Sequence, residues 1–271
     1  MPRSIPPAAR PLRRPRVRTA LTGAALAALG LGSALAQTSA SPGADSGAAT
    51  QWGLGVGLDY QRRPYRDFDD RLRVLPLLMF ENHYLSVLGT RADLKLPSQG
   101  PFSFSLRARY ALDGYEADDS PFLAGMAERK DSLWLGGAAT WRAGFGNLSA
   151  EVLGDASGHS QGAQFRLQLD RRMRAGAFGF TPRIAAHWMD RKYVDYYYGV
   201  QAAEARTGRA FHRGEDAVNL ELGVRVDYAL TPRQSMFLDL SATRLGNAIQ
   251  DSPLVDRSGL AGVRVGYLYR F

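Results

Sequence analysis

The feature that most constrains the fold is a series of long segments in which apolar and polar residues alternate. In the first of them, Trp52, Leu54, Val56 and Leu58 are separated by single glycines. The segment 216–228 repeats the pattern with charged residues between its apolar ones. A period of two residues places the apolar side chains on one face of a β-strand. The pattern therefore predicts an all-β fold.

Eleven segments are predicted as strands, and most of them are 9–13 residues long. Soluble strands usually have ~5–6 residues, whereas a tilted strand needs ~9–11 to cross a bilayer. Aromatic residues near several strand ends are typical of an interfacial girdle. We therefore predict a transmembrane antiparallel up-and-down β-barrel. The predicted strands are 51–61, 71–80, 84–95, 101–111, 131–142, 147–155, 162–170, 177–189, 216–228, 234–244 and 259–271.

The last segment of the chain distinguishes between two predictions, a membrane barrel and a secreted soluble barrel or sandwich. Both alternate, and the alternation alone does not show which face points inward. Val263, Val265, Tyr267, Tyr269 and Phe271 occupy alternate positions up to the last residue. This pattern resembles the C-terminal signal that the outer-membrane assembly machinery recognises. It therefore predicts a location in the cell outer membrane, with outer-membrane lipid and that machinery as partners.

The N-terminal segment has the three parts of a secretory signal. Six arginines lie in the first 18 residues, an apolar run follows from Ala20 to about Leu35, and the small residues Ala34 and Ala36 precede Gln37. We predict a cleavable signal peptide at 1–36, a flexible periplasmic lead-in at 37–50 and a barrel at 51–271. Without the six arginines, the 34 basic residues become 28, against 26 acidic ones. We therefore expect no nucleic-acid partner.

The chemistry that catalysis needs is weakly represented. The chain has no cysteine, which excludes disulfides, thiol catalysis and a lipid-modified cysteine. Its four histidines do not have metal-ligand spacing. The best catalytic candidate, His159 beside Asp155, Ser157 and Ser160, lies among glycines that are typical of a loop. We therefore expect no enzyme activity, no metal and no cofactor.

Counting strands backwards from a periplasmic C-terminus predicts the topology. The short turns 144–147, 171–176 and 231–233 then face the periplasm, as short turns do in such barrels. The long segments 112–130, 156–161, 190–215 and 245–258 form the outer loops. The same count puts the N-terminus outside the cell, so one strand is missing from the prediction, either before residue 131 or at a misread turn 81–83. We therefore favour twelve strands.

Two groups of charged residues are candidate functional residues. The first group lies on the polar strand faces, and its mixed charges either cross-link and plug the lumen or line a narrow channel. The second group lies at the predicted periplasmic turns, where positive charge could steer an acidic protein. The lumen charges are Arg107, Arg109, Arg166, Glu221, Arg225, Asp227 and Arg264, and the rim arginines are Arg171, Arg172, Arg174 and Arg233.

Short segments spread from Trp52 to Phe271 also resemble a known family in their order and spacing. They include VLPL (74–77), DGYEA (113–117), LAGM (123–126), DASG (155–158), YYYGV (196–200) and SPLV (252–255). The chain is similar to the MipA/OmpV family of outer-membrane proteins, named for interaction with the lytic transglycosylase MltA. A departure is FENH (80–83), where the family more often has Tyr and a Gly-containing turn.

The resemblance implies an outer-membrane barrel and, for some members, a scaffold that brings a lytic transglycosylase together with a murein synthase. Other members are associated with adhesion or with permeability. Two functions therefore stay open for this chain. One is a non-catalytic scaffold for cell-envelope assembly, and the other is a narrow pore, a permeability protein or an adhesin.

Overall fold

The strands close into an antiparallel barrel in the computed structural model, which describes residues 50–68 and 72–271. Each strand pairs with its neighbours in chain order, except that β8 and β9 both pair with β10, and β1 also pairs with β13. The described strands are β1 (Gln51–Gln61), β2 (Leu72–Glu81), β3 (Leu85–Leu88), β4 (Arg91–Lys95), β5 (Phe102–Ala111), β6 (Ser132–Ala143), β7 (Gly146–Asp155), β8 (Ala163–Asp170), β9 (Met173–Ala175), β10 (Phe178–Met189), β11 (Ala217–Thr231), β12 (Gln234–Arg244) and β13 (Gly259–Arg270).

The barrel has twelve strands because β8 and β9 count as one. Both pair with β10, β8 along 183–189 and β9 along 178–180, so they are two parts of one interrupted strand. The prediction of a twelve-stranded up-and-down barrel is confirmed. The predicted signal peptide 1–36, and all of the 37–50 lead-in except Thr50, lie outside the described residues.

The apolar face of the strands points outward. Leu54 is 54% exposed and Leu222 is 61% exposed, whereas Gly53 and Gly57 on the other face of β1 are buried. A soluble barrel would bury such leucines, but in a membrane they contact lipid. The exposed leucines therefore show which face of the strands points outward, which the alternation alone did not show. They fit a membrane-spanning wall.

Aromatic side chains form a belt at the end of the barrel that carries the short turns. Aromatic rings favour this interface because one end of the ring system is apolar and the other meets water. The pairs lie on adjacent strands or at a strand end, and they mark the periplasmic boundary of the bilayer. They are Trp52–Phe80 (4.8 Å between ring centroids), Phe102–Trp141 (6.1 Å), Phe178–Tyr228 (4.7 Å) and Tyr269–Phe271 (5.1 Å).

The missing strand lies before residue 131, as predicted, because the segment 84–95 is two short strands. The chain reverses at Gly89, whose φ of 59° suits glycine, so that β3 and β4 form a small hairpin. The predicted turn at 81–83, which precedes this hairpin, is present in the structure. Asn82 accepts hydrogen bonds from the amides of Tyr84 (2.8 Å) and Leu85 (2.6 Å), and this side chain closes the turn without the glycine common in the family.

One turn was predicted wrongly. The segment 171–176 contains strand β9, and the reversal occurs at Gly176, which has a φ of 59°. The strand was missed because Arg171 and Arg172 interrupt the alternation between β8 and β9.

The long loops at the outer end fold into the mouth of the barrel, where they form what we call the outer plug (loops 62–68, 112–131, 190–216 and 245–258). It contains helices α1 (Arg191–Tyr198) and α2 (Asn247–Gln250) and three short 3₁₀ helices, Ala117–Asp119, Pro121–Leu123 and Ala202–Glu204. Asp190 caps α1 by accepting the amide of Tyr193 at 2.9 Å. Within the described residues, the helices are too short or too polar to cross a bilayer.

Two apolar clusters hold the outer plug together. The first joins α1 and α2 to inward-facing residues near the outer ends of the strands, so α1 sits inside the mouth. The second joins the four loops to each other. The main members of the first are Trp134, Leu153, Tyr193, Val194, Tyr197 and Ile249, and those of the second are Tyr65, Tyr115, Leu123, Met126, Val200 and Leu254.

Candidate functional site: the charged lumen and the outer plug

One group of ion pairs lines the inner wall of the barrel from β4 to β7. Arg107 donates from Nε to Asp93 Oδ1 (2.6 Å) and from Nη2 to Asp93 Oδ2 (2.9 Å). Its third nitrogen, Nη1, donates to Glu151. Arg109 donates to the other oxygen of Glu151 at 3.1 Å. Because two arginines share one buried carboxylate, the side chains of β4, β5 and β7 are cross-linked above β6.

A second group joins β8, β10, β11 and β12. Arg183 donates to both oxygens of Asp239, at 2.8 and 2.9 Å, and from Nε to Glu221 at 2.8 Å. Arg166 donates to the second oxygen of Glu221 at 2.9 Å. The bidentate geometry is that of a strong charge-assisted pair.

Gln164 extends the first group to β8 and β10. Its Oε1 accepts from Arg109 at 2.8 Å and lies 2.9 Å from Nε2 of His187. His187 is therefore part of this polar network, next to an amide oxygen. The first and second groups together have members on strands from β4 to β12.

A third set of charges lies on β11, β13 and β1. Arg225 donates to Asp227 at 2.9 Å and lies 4.0 Å above the ring of Phe237. Arg264 on β13 donates to Asp59 on β1 at 2.5 Å. With these pairs, all seven predicted lumen charges meet an opposite charge inside the barrel.

Small residues make room for the network. Arg183 lies opposite Gly223 on β11 and reaches over it to β12. A Cβ at Gly223 would lie 2.5 Å from Cζ of Arg183, closer than atoms can pack. Next to the charged groups, Phe237 on β12 lies over Gly266 and packs with Leu75 and Leu77 on β2. The inner wall thus carries buried charged groups and a small apolar cluster side by side.

The outer plug has its own buried ion pair. Arg129 donates from Nη2 to both oxygens of Glu204, at 3.0 and 2.9 Å, and from Nε to the carbonyl of Tyr196 at 2.6 Å. Burial alone would raise the pKa of Glu204, but the amides of Ala127 and Gln201, together with Arg129, outweigh burial and lower the pKa. The carboxylate therefore stays charged and ties three loop segments together.

Further hydrogen bonds fix α1 in the mouth. The hydroxyl of Tyr193 donates to Asp113 at 3.1 Å, and the hydroxyl of Tyr197 donates to the carbonyl of Lys130 at 3.0 Å. Ser252 donates to the carbonyl of Tyr198 at 2.6 Å. Burial raises the pKa of Tyr193 well above its ordinary value, which keeps this hydroxyl protonated as a donor.

The residues that the sequence offered as a catalytic candidate, His159 with Asp155, Ser157 and Ser160, form a structural loop. The carboxylate of Asp155 accepts from the amides of Ser157 (2.9 Å), Ser160 (2.6 Å) and Gln161 (3.0 Å), while His159 Nδ1 lies 2.9 Å from the carbonyl of Asp131. The histidine and the carboxylate thus have separate structural partners. The part of the chain that the structure describes contains no cluster of three or more potential metal ligands.

The predicted rim arginines divide into two kinds. Arg171, Arg174 and Arg233 are exposed at the periplasmic end. Arg172 is partly buried and turns toward Asp227, 3.7 Å away. Arg172 therefore contributes to the bottom of the lumen, and three arginines are left on the surface of the rim.

The predicted assembly signal is the outward face of β13. Val263 and Val265 point to lipid, and Tyr267 and Tyr269 follow on the same face. Phe271 is exposed, and its amide donates to the carbonyl of Trp52 at 2.9 Å. The last residue therefore lies at the seam where the barrel closes.

Sequence reasoning missed the acidic partners in the lumen, Asp59, Asp93, Glu151 and Asp239. Each lies on the polar face of its strand, so the alternation does carry a signal for them. Which arginine each one meets depends on the register between strands, and on small residues such as Gly223 that the pattern does not single out.

The sequence has clear relatives. The family described as "MltA-interacting protein MipA" matches residues 54–271. The putative outer membrane protein YiaT of Escherichia coli (strain K12) is 25% identical over 83% of this chain and 93% of its own length. The MltA-interacting protein of the same strain is 26% identical over 82% of this chain and 90% of its own length. OmpV of Vibrio cholerae is 29% identical over 56% of this chain and 60% of its own length.

The comparison with solved structures gives matches of low sequence identity. An outer membrane channel from Pseudomonas putida F1 is 12% identical, with a TM-score of 0.44, over 84% of this chain and 97% of that chain. The segment 54–271, which matches the MipA family, covers nearly the whole described barrel, from β1 to the terminal Phe271. The chain therefore belongs to the MipA family and is a β-barrel of the outer membrane.

Proposed function

We propose that this protein is a closed, non-catalytic scaffold that binds murein enzymes through its periplasmic rim. The observation that carries the proposal is the filled lumen. Two groups of buried ion pairs line it, one on β4, β5 and β7 and the other on β8, β10, β11 and β12, and the outer plug occupies its mouth. A barrel of this kind acts through its surfaces, and the surface that periplasmic enzymes can reach is the rim.

The rim offers positive charge to a partner. All three rim arginines are exposed there: Arg171 lies between β8 and β9, Arg174 lies on β9, and Arg233 lies in the turn between β11 and β12. Exposed charges of one sign mainly raise the association rate of a partner of opposite charge, and salt screens this effect. Relatives that carry the name MltA-interacting protein support a lytic transglycosylase as the partner.

The test is a pull-down with the full chain in detergent as bait and the soluble lytic transglycosylase MltA as prey. We expect capture by the wild type and a several-fold loss when Arg171, Arg174 and Arg233 are all changed to Ser. A matched triple variant changes Arg191, Lys192 and Arg213, which are exposed at the outer end, to Ser. It should capture as much enzyme as the wild type.

Each outcome decides one part of the proposal. Equal losses in both triple variants would reject the rim as the binding surface. No capture by the wild type would reject the scaffold. Adding a murein synthase to the captured complex tests the bridging role, which requires that both enzymes be retained together.

The alternative, a narrow pore, is tested by single-channel conductance in planar bilayers. The filled lumen leads us to expect no steady conductance from the wild type. Frequent ion-conducting openings would contradict the closed barrel and favour the permeability function.

A further inference from the structure

The barrel wall has a gap on its outer half, between β2 and loop 112–114. β2 begins at Leu72, but it pairs with β3 only through Met79–Glu81, because the β3–β4 hairpin reverses at Gly89. Among the described residues, no strand pairs with 72–77 on this side. We call this gap the lateral notch. It leaves one edge of β2 without a neighbouring strand where the wall faces lipid.

The unpaired edge of β2 presents more hydrogen-bond acceptors than donors. The carbonyl of Leu78 accepts from the amide of Gly89 at 3.0 Å, so the backbone groups of Leu78 point to the side of the notch. Backbone groups alternate between the two edges of a strand, so those of Pro76 and Val74 point the same way. Because proline has no N–H, these two residues offer two carbonyls and a single N–H. Polar backbone groups in a bilayer need polar partners, and this edge favours a partner that donates.

A cavity of about 380 Å³ lies in the lateral notch. Val74 beside it is 62% exposed on the lipid face, whereas Leu75 is buried on the inner face. The cavity therefore meets the bilayer on one side and the inside of the wall on the other. Its volume lies within the ~300–1,000 Å³ of small-molecule sites. Its apolar lining is Val74, Leu75 and Leu112, and its polar lining is Arg73, Gly114 and Asp131.

The charges around the cavity balance, and each of them has a partner within the protein. Arg264 pairs with Asp59, Arg63 donates to the carbonyl of Leu112 at 2.7 Å, and Arg73 is likewise engaged. Asp113 accepts from the hydroxyl of Tyr193 at 3.1 Å, and Asp131 accepts from the amide of Gly114 at 3.0 Å. A charged ligand would upset this balance, so the cavity favours an uncharged one. The three arginines are Arg63, Arg73 and Arg264, and the three carboxylates are Asp59, Asp113 and Asp131.

We propose that the lateral notch binds an uncharged amphipathic small molecule, an apolar body that carries a hydroxyl group, such as a medium-chain alcohol. The molecule enters from the bilayer, and its hydroxyl donates to the carbonyl of Pro76 or Val74. Its apolar body packs on Leu75 and Leu112. This class of ligand supplies the donor that the edge of β2 lacks, covers the apolar lining and leaves the charges paired. The site lies at the end of the barrel opposite the rim, so it does not depend on the scaffold function.

The experiment is photolabelling of the full chain in neutral detergent with azi-octanol, an alcohol that carries a photoreactive diazirine. Mass spectrometry of the peptides should find the label on 72–78 and 112–114. Octanol should compete for these peptides several-fold better than methoxyoctane, which cannot donate, and better than octanoate, which is anionic. Val74→Trp fills the cavity and should lower labelling of 112–114 about tenfold, the loss expected when the contacts of two buried methylene groups are removed.

The matched control is Val56→Trp, an outward valine on the fully paired strand β1, which lies opposite Pro76. It should be labelled like the wild type, and a heat-dependent gel shift shows that each variant is folded. Equal labelling of 112–114 in the two tryptophan variants would overturn the proposal, as would label spread over the outward faces of all strands. Equal competition by octanol and methoxyoctane would reject the hydrogen bond to β2 and with it the ligand class. Stronger competition by octanoate would reject an uncharged ligand.

Discussion

The ion pair between Arg183 and Asp239 provides a test of how much the lumen network stabilises the barrel. The two side chains are 4% and 3% exposed, and the carboxylate accepts both terminal nitrogens of the guanidinium at 2.8 and 2.9 Å. Asp239→Asn keeps the shape of the side chain but removes its charge. It also turns an amide donor toward the guanidinium, so one of the two hydrogen bonds is lost.

The expected loss follows from burial. Removing one partner of a buried ion pair typically costs ~3–5 kcal/mol, because the other charge is left without compensation. Glu221 still accepts from Nε of Arg183 at 2.8 Å, which places the loss at the lower end of this range. We expect about 3 kcal/mol, or roughly a hundredfold in the folding equilibrium. The control is Asp256→Asn, since Asp256 and Arg257 are 35% and 33% exposed and 3.8 Å apart. We expect that change to cost ~0–1 kcal/mol.

The assay is reversible urea unfolding in lipid vesicles, followed by tryptophan fluorescence and by mobility on unheated gels. A shift of the midpoint at constant slope reports a change in the free energy of unfolding. A loss below ~1 kcal/mol for Asp239→Asn, equal to that of the control, would refute the reasoning. A second variant tests the cause. Arg183→Met combined with Asp239→Leu removes both charges and should be more stable than Asp239→Asn, since no charge is left unpaired.

Three further predictions concern other parts of the barrel. Deleting Phe271, or replacing it with a charged residue, should leave export intact but reduce folded protein in outer-membrane fractions. A charge on the lipid face near the interface costs only ~0–1 kcal/mol, so a large loss would point to recognition of the terminal signal, and normal assembly would contradict that signal. Because the pKa of Glu204 is lowered from its ordinary value of 4.5, the stability it gives the outer plug is fully present above that value and is lost as the pH falls through the folded-state pKa. Hydrogen exchange at Ala127 and Gln201 should therefore rise below about pH 4.5, and Glu204→Gln should remove this dependence. Gly223→Val should displace Arg183 from Asp239 and lower the urea midpoint, whereas Gly144→Val, in an open turn, should not.

The long strands could be predicted because their two faces differ in environment. Outward residues are apolar because they meet lipid, whereas most inward residues are charged, polar or glycine, so alternation marks both the strand and its length. The short hairpin at 85–95 escaped because its turn has a single glycine, Gly89, inside a segment that otherwise reads as one strand. Strand parity exposed this error, since a barrel whose two ends both lie in the periplasm needs an even number of strands.

The pairing of charges could not be predicted, although most of the charges could. Arg166 and Glu221 were both assigned to the lumen, but they meet across β10 only because of the register between β8, β10 and β11. Register is set by the turns and by the whole closed sheet, and a single strand carries little information about it. The same holds for Arg172, which a local reading puts on the rim and the structure turns toward Asp227.

The segments that carry the family resemblance meet in the outer plug. Arg129, which follows LAGM, binds Glu204, which follows YYYGV, and it also binds the carbonyl of Tyr196. Ser252 of SPLV binds the carbonyl of Tyr198. These residues are buried and occupied by one another, so they close the barrel and are not available to a partner.

This arrangement bears on where members of one family could differ in function. A shared plug specifies a shared architecture, but it does not require a shared partner. Partner choice then depends on surfaces that the plug does not constrain, and the exposed arginines of the periplasmic rim are such a surface.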